Sequence, residues 1–180
     1  MIIREAGPGD AAAVAAIYGH HVLTSLATFE EIPPSEAEMA ARIAAVRSHG
    51  LPYLVAENDG GRVTGFAYAA PFRPRAAYRY TAEDSVYIDP AHVGRGVGRA
   101  LLGEVVAVCE GLGLRQLMAV IGDSGNAASI GLHRALGFQE SGVGRGLGFK
   151  QGRWVDIVNM QRPLGAGHAA APDGRGLELQ

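Results

Sequence analysis

The sequence predicts a mixed α/β fold, and three observations carry that expectation. First, short apolar runs with strand character alternate with segments of helical periodicity along the chain. Second, the run Val86-Tyr87-Ile88-Asp89-Pro90 leads into the glycine-rich turn Gly94-x-Gly96-x-Gly98. A helical pattern follows, with Val97, Leu101, Leu102, Val105, Val106 and Cys109 on one side. Strand, glycine loop, helix is one parallel crossover unit. Third, 180 residues at 48% hydrophobic and 19% charged suffice for one well-filled core and do not resemble a disordered chain.

In chain order, Ile2-Ile3-Arg4 reads as a first strand, broken by Gly7-Pro8-Gly9. Asp10 is placed to cap a helix from Ala11 to about Thr24, with Ala13, Val14, Ile17 and His21 along one face. Residues 25–34 form a loop. Ser35, with Glu38 three residues on, forms a capping box opening a helix that ends near Ser48-His49-Gly50. Tyr53 to Ala56 and Val63 to Ala70 read as strands around the turn Asn58-Asp59-Gly60-Gly61. Thr81 to Asp89 is the strand before the glycine loop, and Leu114 to Ile121 the strand after its helix. Asn126 caps a helix through Leu136, and two strands, about 138–149 and 153–161, complete a domain of residues 1–164. Residues 165–180, rich in Gly, Ala and Pro, read as a mobile tail.

Composition excludes several classes. A net charge of −2 gives no reason to expect a nucleic-acid or anionic-membrane partner. The single cysteine, Cys109, permits no internal disulfide and fits a reducing, cytoplasmic compartment; its place on an apolar helix side reads as a buried thiol. No signal peptide or apolar run of spanning length is visible. His20-His21 does not read as a metal site, since adjacent helical residues diverge by about 100°, and no metal is expected.

The glycine loop reads as an anion cradle or as a plain tight turn. At a helix N-terminus, free amides and the helix dipole favour phosphate, and glycines let backbone approach it. Gly98 is followed by Arg99-Ala100 and not by the Lys-Ser/Thr of a P-loop. The dinucleotide fingerprint also fails, because its third glycine would come one position later. ATP and NAD are therefore not expected.

This loop resembles the acetyl-CoA pyrophosphate loop of the GNAT N-acetyltransferase superfamily, Gln/Arg-x-x-Gly-x-Gly/Ala. Gly96 and Gly98 match its small positions, and Val93 replaces the usual Gln or Arg. Asn126 to Phe138 resembles that superfamily's later helix. Glu83-Asp84-Ser85-Val86-Tyr87, Leu132-His133, Thr28-Phe29-Glu30 and Gly148-Phe149-Lys150-Gln151-Gly152-Arg153-Trp154-Val155-Asp156 are similar to segments of the phosphinothricin / methionine sulfoximine N-acetyltransferase branch. The resemblance covers roughly residues 2–162.

It implies a central mixed, twisted sheet flanked by helices, acetyl-CoA as co-substrate, a small-molecule amine acceptor and a homodimer. Glu83 is the candidate general base, or an ordinary surface-paired strand Glu; Asp84 would point to the other face. A backbone N–H near Tyr87 or Ile88 would hold the oxyanion. His133 stands where most of the superfamily has the Tyr that protonates the thiolate; it reads equally as acid, polar packing residue or substrate neighbour. CoA contacts are expected from Val86, Tyr87, Ile88, Gly94, Arg95, Gly96, Val97, Gly98, Arg99, Asn126 and Ser129. Arg73 and Arg75 would hold an acceptor carboxylate, or form a solvated basic loop. Phe29 and Tyr87 would wall the pocket, and Trp154 reads as core or dimer contact. The activity implied is N-acetylation of a small amino-acid analogue's α-amine. The alternatives are a polyamine, an aminoglycoside or a protein N-terminus as acceptor, or a non-catalytic acyl-CoA-binding module.

Overall fold

The computed structural model describes residues 1–179. Its elements run β1 (Ile2–Glu5), α1 (Ala11–Thr24), α2 (Glu36–Ser48), β2 (Tyr53–Glu57), β3 (Val63–Pro71), β4 (Thr81–Ile88), α3 (Val97–Gly111), β5 (Gln116–Gly122), α4 (Ala127–Ala135), β6 (Gln139–Lys150) and β7 (Arg153–Pro163). The seven strands form one sheet in the order β1-β2-β3-β4-β5-β7-β6. Every neighbouring pair is antiparallel except β4 and β5, which run parallel across α3.

Both faces of the central strands are buried, and their alternation sorts residues by size. Leu54, Ala56, Ala67, Ala69 and Ala82 share one hydrophobic cluster with Leu101, Leu102, Val105 and Cys109 of α3. The small sheet residues on this face give α3 room to pack closely. Tyr53, Val55 and Phe66 share the other cluster with Val14, Ile17, Tyr18 and Val22 of α1 and Met39 and Ile43 of α2. The rings of Tyr53, Phe66 and Tyr68 stack within 8° of parallel on this face.

Two caps differ from the sequence expectation. Asp10 does not cap α1 with its side chain. Its carboxylate accepts two bonds from Arg4, at 2.7 and 2.9 Å, and one from the Gly7 amide. A guanidinium offers two charge-assisted bonds where the helix offers a neutral amide. Ser35 does accept from the Glu38 amide at 3.2 Å, but the Glu38 carboxylate turns outward to Arg42 at 2.6 Å. Residues 165–179, expected to be mobile, carry specific contacts. The Tyr80 hydroxyl donates to the Gly174 carbonyl, the Leu177 amide donates to the Arg79 carbonyl, and Leu177 packs on the α3 cluster.

Candidate active site

The central feature is a gap in the sheet. The β4–β5 ladder runs from Thr81↔Gln116 to Asp84↔Ala119 and stops, although both strands continue. From Ser85 onward, backbone groups of β4 on that side face a cleft of about 470 Å³ and no neighbouring strand. The cleft is lined by β4 from Asp84 to Ile88, by the glycine loop, by β5 from Ala119 to Gly122, and by Asn126, Ser129, Leu132 and His133 of the α4 region.

One end of the cleft is the glycine loop. Gly94 and Gly96 hold φ of +77° and +81°, a conformation that costs a non-glycine residue strain. A Cβ built at either would meet nothing within 4 Å, so both glycines border open space. Gly96 is the N-cap of α3 and offers no side-chain cap, and the first helical bond runs from the Ala100 amide to the Gly96 carbonyl. The amides of Val97, Gly98 and Arg99 are thus left for a ligand. This cradle fits a pyrophosphate, and the apolar groove along β4 fits an extended arm such as pantetheine.

Of the residues expected to hold CoA, the cleft brings together Val86, Tyr87, Ile88, Gly94, Gly96, Val97, Gly98, Arg99, Asn126 and Ser129; Arg95 is exposed outside it. Asn126 also caps α4, accepting from the Ser129 amide at 3.1 Å. The Tyr87 ring packs against Tyr18 and His21 with centroids 4.9 and 5.5 Å away, and burial pushes its hydroxyl well above the usual tyrosine range.

Glu83 lies one pair before the ladder ends, on the face toward α1 and α2, and does not line the cleft. It is half-buried and has no hydrogen-bond or ion-pair partner among the described residues. Burial raises its pKa, with Arg73 opposing and Asp84 adding to the shift. On the same face a second cavity of about 250 Å³ is lined by Tyr18, Met39, Arg42, Tyr53, Phe66 and Tyr68, among others. Arg73 stacks over the Phe72 ring at 4.2 Å, and both Arg73 and Arg75 are exposed. The Phe29 ring lies over Gly148, whose Cβ position is 2.9 Å from a ring carbon. Trp154 is 70% exposed and is not core.

Three side chains that line or brace the site were not among the expected site residues. Asp84, set aside there as facing away from Glu83, is buried against His133, with Oδ2 2.9 Å from Nε2. Its alternation with Glu83 was legible; its partner 49 residues away was not. His21 lines the cleft and donates from Nε2 to the Ile88 carbonyl at 2.8 Å, tying α1 to the end of β4; burial lowers its pKa. Lys150, buried at the end of β6, donates to the carbonyls of Ser25 and Thr28 at 2.9 and 2.7 Å and so pins the 25–34 loop. Its place in the Gly148–Asp156 resemblance was the only hint.

Comparison with known proteins agrees with this geometry. The Acetyltransferase (GNAT) family model matches residues 19–138. The chain is 56% identical over 171 residues to a phosphinothricin N-acetyltransferase of Alcaligenes faecalis, covering 95% of this chain and 86% of that one. It is 40% identical over 162 residues to an L-methionine sulfoximine/L-methionine sulfone acetyltransferase of Pseudomonas aeruginosa, covering 90% and 94%. Its fold matches the crystal structure of a GNAT phosphinothricin acetyltransferase from Sinorhizobium meliloti in complex with AcCoA, with a TM-score of 0.92 and 49% identity over 95% of this chain and 92% of that one. The splayed β4–β5 pair, its glycine cradle and these similarities make the chain a member of the GNAT acetyltransferase family.

Proposed function

We propose that this protein transfers the acetyl group of acetyl-CoA to the α-amine of a small amino-acid analogue of the phosphinothricin or methionine sulfoximine kind, held by its carboxylate. The observation that carries the reading is the placement of Glu83. It is a half-buried carboxylate without a partner among the described residues, on the strand that leads into the cleft and its glycine cradle. The relatives' acceptors support the substrate class.

Acetyl-CoA supplies an activated acyl thioester. The amides of Val97–Arg99 bind its pyrophosphate, and β4 from Ser85 to Ile88 aligns its arm. An amine arrives mostly as ammonium, and Glu83 takes its proton directly or through one water. Burial suits the carboxylate to this by raising its affinity for the proton. The β4 backbone N–H of Ile88 faces the gap left by β5, whereas that of Tyr87 faces β3; the Ile88 amide donates to the developing oxyanion, a contribution of about 3 kcal/mol in comparable sites. Arg73, whose charge already reaches Glu83, and Arg75 receive the acceptor's carboxylate. Phe29 and Tyr87 bound the acceptor.

The protein acts as a cytoplasmic homodimer in this reading. Leu147, Phe149 and Trp154 stand 62%, 59% and 70% exposed on the β6–β7 hairpin, and apolar side chains of this size grouped in one place mark a contact surface.

The test is release of free CoA thiol from acetyl-CoA with phosphinothricin, methionine sulfoximine, methionine sulfone, spermidine, an aminoglycoside and an N-terminal peptide. Turnover confined to the first three is the expected result. Turnover only with the polycations or the peptide would keep the transferase and discard the carboxylate-binding role of Arg73 and Arg75.

A further inference from the structure

The loop of residues 72–80 joins β3 to β4 and carries Arg73 and Arg75, whose side chains have little to hold them. Both are exposed. Arg73 rests on the Phe72 ring and donates to the Phe72 carbonyl, and the Arg75 guanidinium has no hydrogen-bond partner among the described residues. The two guanidinium groups therefore go where the backbone beneath them goes. That backbone is drawn into a 3₁₀ turn over Ala76–Tyr78, in which the Tyr78 amide donates to the Arg75 carbonyl at 2.9 Å. Arg79 closes the turn twice, donating to the Ala76 carbonyl from its amide at 3.2 Å and from its Nε at 2.7 Å. The Tyr78 ring stands edge-on to Phe72 at 5.7 Å, and Phe72 is the ring that Arg73 covers.

Arg79 is also where residues 171–177 dock. The Leu177 amide donates to the Arg79 carbonyl at 2.7 Å, and the Tyr80 hydroxyl donates to the Gly174 carbonyl at 2.7 Å. Arg115 ties the two sides together. Its amide donates to the Tyr80 carbonyl at 2.8 Å, and its largely buried guanidinium donates to the Ala171 carbonyl at 3.0 Å. The fit is closest at Gly176, which holds φ of +69°. A Cβ there would lie 2.6 Å from Arg79 Cγ and 2.7 Å from the Arg79 carbonyl oxygen, so the segment comes this near only as glycine. Leu177 then packs on the α3 cluster and fixes the segment to the body of the fold.

Covering the α3 cluster would need only the Leu177 side chain. The hydrogen bonds and the glycine fit go instead to Arg79, Tyr80 and Arg115, at the foot of the loop that carries the two arginines. An exposed loop that is left loose must be ordered when a ligand binds it, and that entropy is lost from affinity; a loop ordered beforehand avoids the loss. We propose that residues 174–177 are a positioning segment for the acceptor. Docked on Arg79 and Tyr80, they hold the 72–80 loop in the shape that presents Arg73 and Arg75 to a carboxylate. The proposal rests on the acceptor role given to those arginines above. None of these residues lines the cleft, so the effect belongs to the amine and not to acetyl-CoA.

The test uses the full-length protein. Gly176→Val places a branched side chain where Arg79 stands and should lift the segment. Amide exchange at Tyr78 and Arg79, read by NMR, should then become at least roughly tenfold faster. The KM for phosphinothricin should rise about five- to tenfold, with kcat and the KM for acetyl-CoA within about twofold of wild type. Leu177→Asp should repeat this pattern, and Leu177→Met, which keeps the apolar contact, should restore wild-type values. Tyr80→Phe removes only the bond to Gly174 and serves, with the same readouts, if Gly176→Val does not fold. Faster loop exchange with an unchanged KM for the amine would overturn the proposal. Equal rises in both KM values would also overturn it, since they mark a general loosening of the fold. Calorimetric titration of phosphinothricin reads the same weakening without turnover. A protein that binds the amine, loses that binding in Gly176→Val and yet releases no CoA would overturn the acetyl-transfer reading and leave the positioning segment standing.

Discussion

Glu83 is placed by two opposing effects, and the balance predicts its pH behaviour. Burial disfavours the carboxylate form, and the Arg73 charge partly restores it. A base with a raised pKa is protonated and idle at acid pH, so activity rises as pH climbs through that value and levels above it. Glu83→Gln should remove this acid limb and lower kcat roughly 10²- to 10⁴-fold. Acetyl-CoA affinity should stay nearly unchanged, because Glu83 lies outside the cleft. An unaltered rate would take Glu83 out of the mechanism. Asp84, its sequence neighbour, meets the opposite fate because a strand turns successive side chains to opposite faces.

Among the elements, the 25–34 loop shows how an irregular segment is held. Lys150 reaches from the end of β6 to two of its carbonyls, Gln151 donates to the Leu23 carbonyl, and Phe29 closes over Gly148. A Cβ on Gly122 would come within 2.3 Å of the Leu26 carbonyl oxygen, so the end of β5 admits the loop only as glycine. Lys150→Met leaves two carbonyls without their donor and should cost about 1–3 kcal/mol. Thermal unfolding reads that loss. Steady-state kinetics should show the KM for the amine rising several-fold more than the KM for acetyl-CoA. Equal rises would mean that the loop does not serve the acceptor.

Across the whole molecule, the sheet divides the work between its faces. The α1/α2 face carries Glu83 and the aromatic cavity, the α3/α4 face carries Asp84 and His133, and the gap between β4 and β5 joins the two. The exposed Leu147, Phe149 and Trp154 lie far along the β6–β7 hairpin, with the Phe149 and Trp154 rings 5.3 Å apart. Trp154→Glu should convert a dimer into monomers in light scattering with the melting temperature little changed, because an exposed side chain leaves no cavity behind. A wild-type monomer would end the dimer proposal.

The sequence by itself determined the element order and the glycine cradle. Periodicity, caps and φ > 0 glycines are local properties, legible in a window of a few residues. Boundaries moved by one or two residues, as with β4 ending at Ile88 and β5 beginning at Gln116. The caps show where local logic yields: Asp10 is a good N-cap in isolation, but Arg4, brought near by the first strand, outcompetes an amide. Only the tertiary structure decided where β4 and β5 part, that Asp84 meets His133 across 49 residues, and that Lys150 reaches the loop 122 and 125 residues before it. Such pairings depend on which faces the sheet brings together in space, and a side chain's own sequence neighbours hold no record of that.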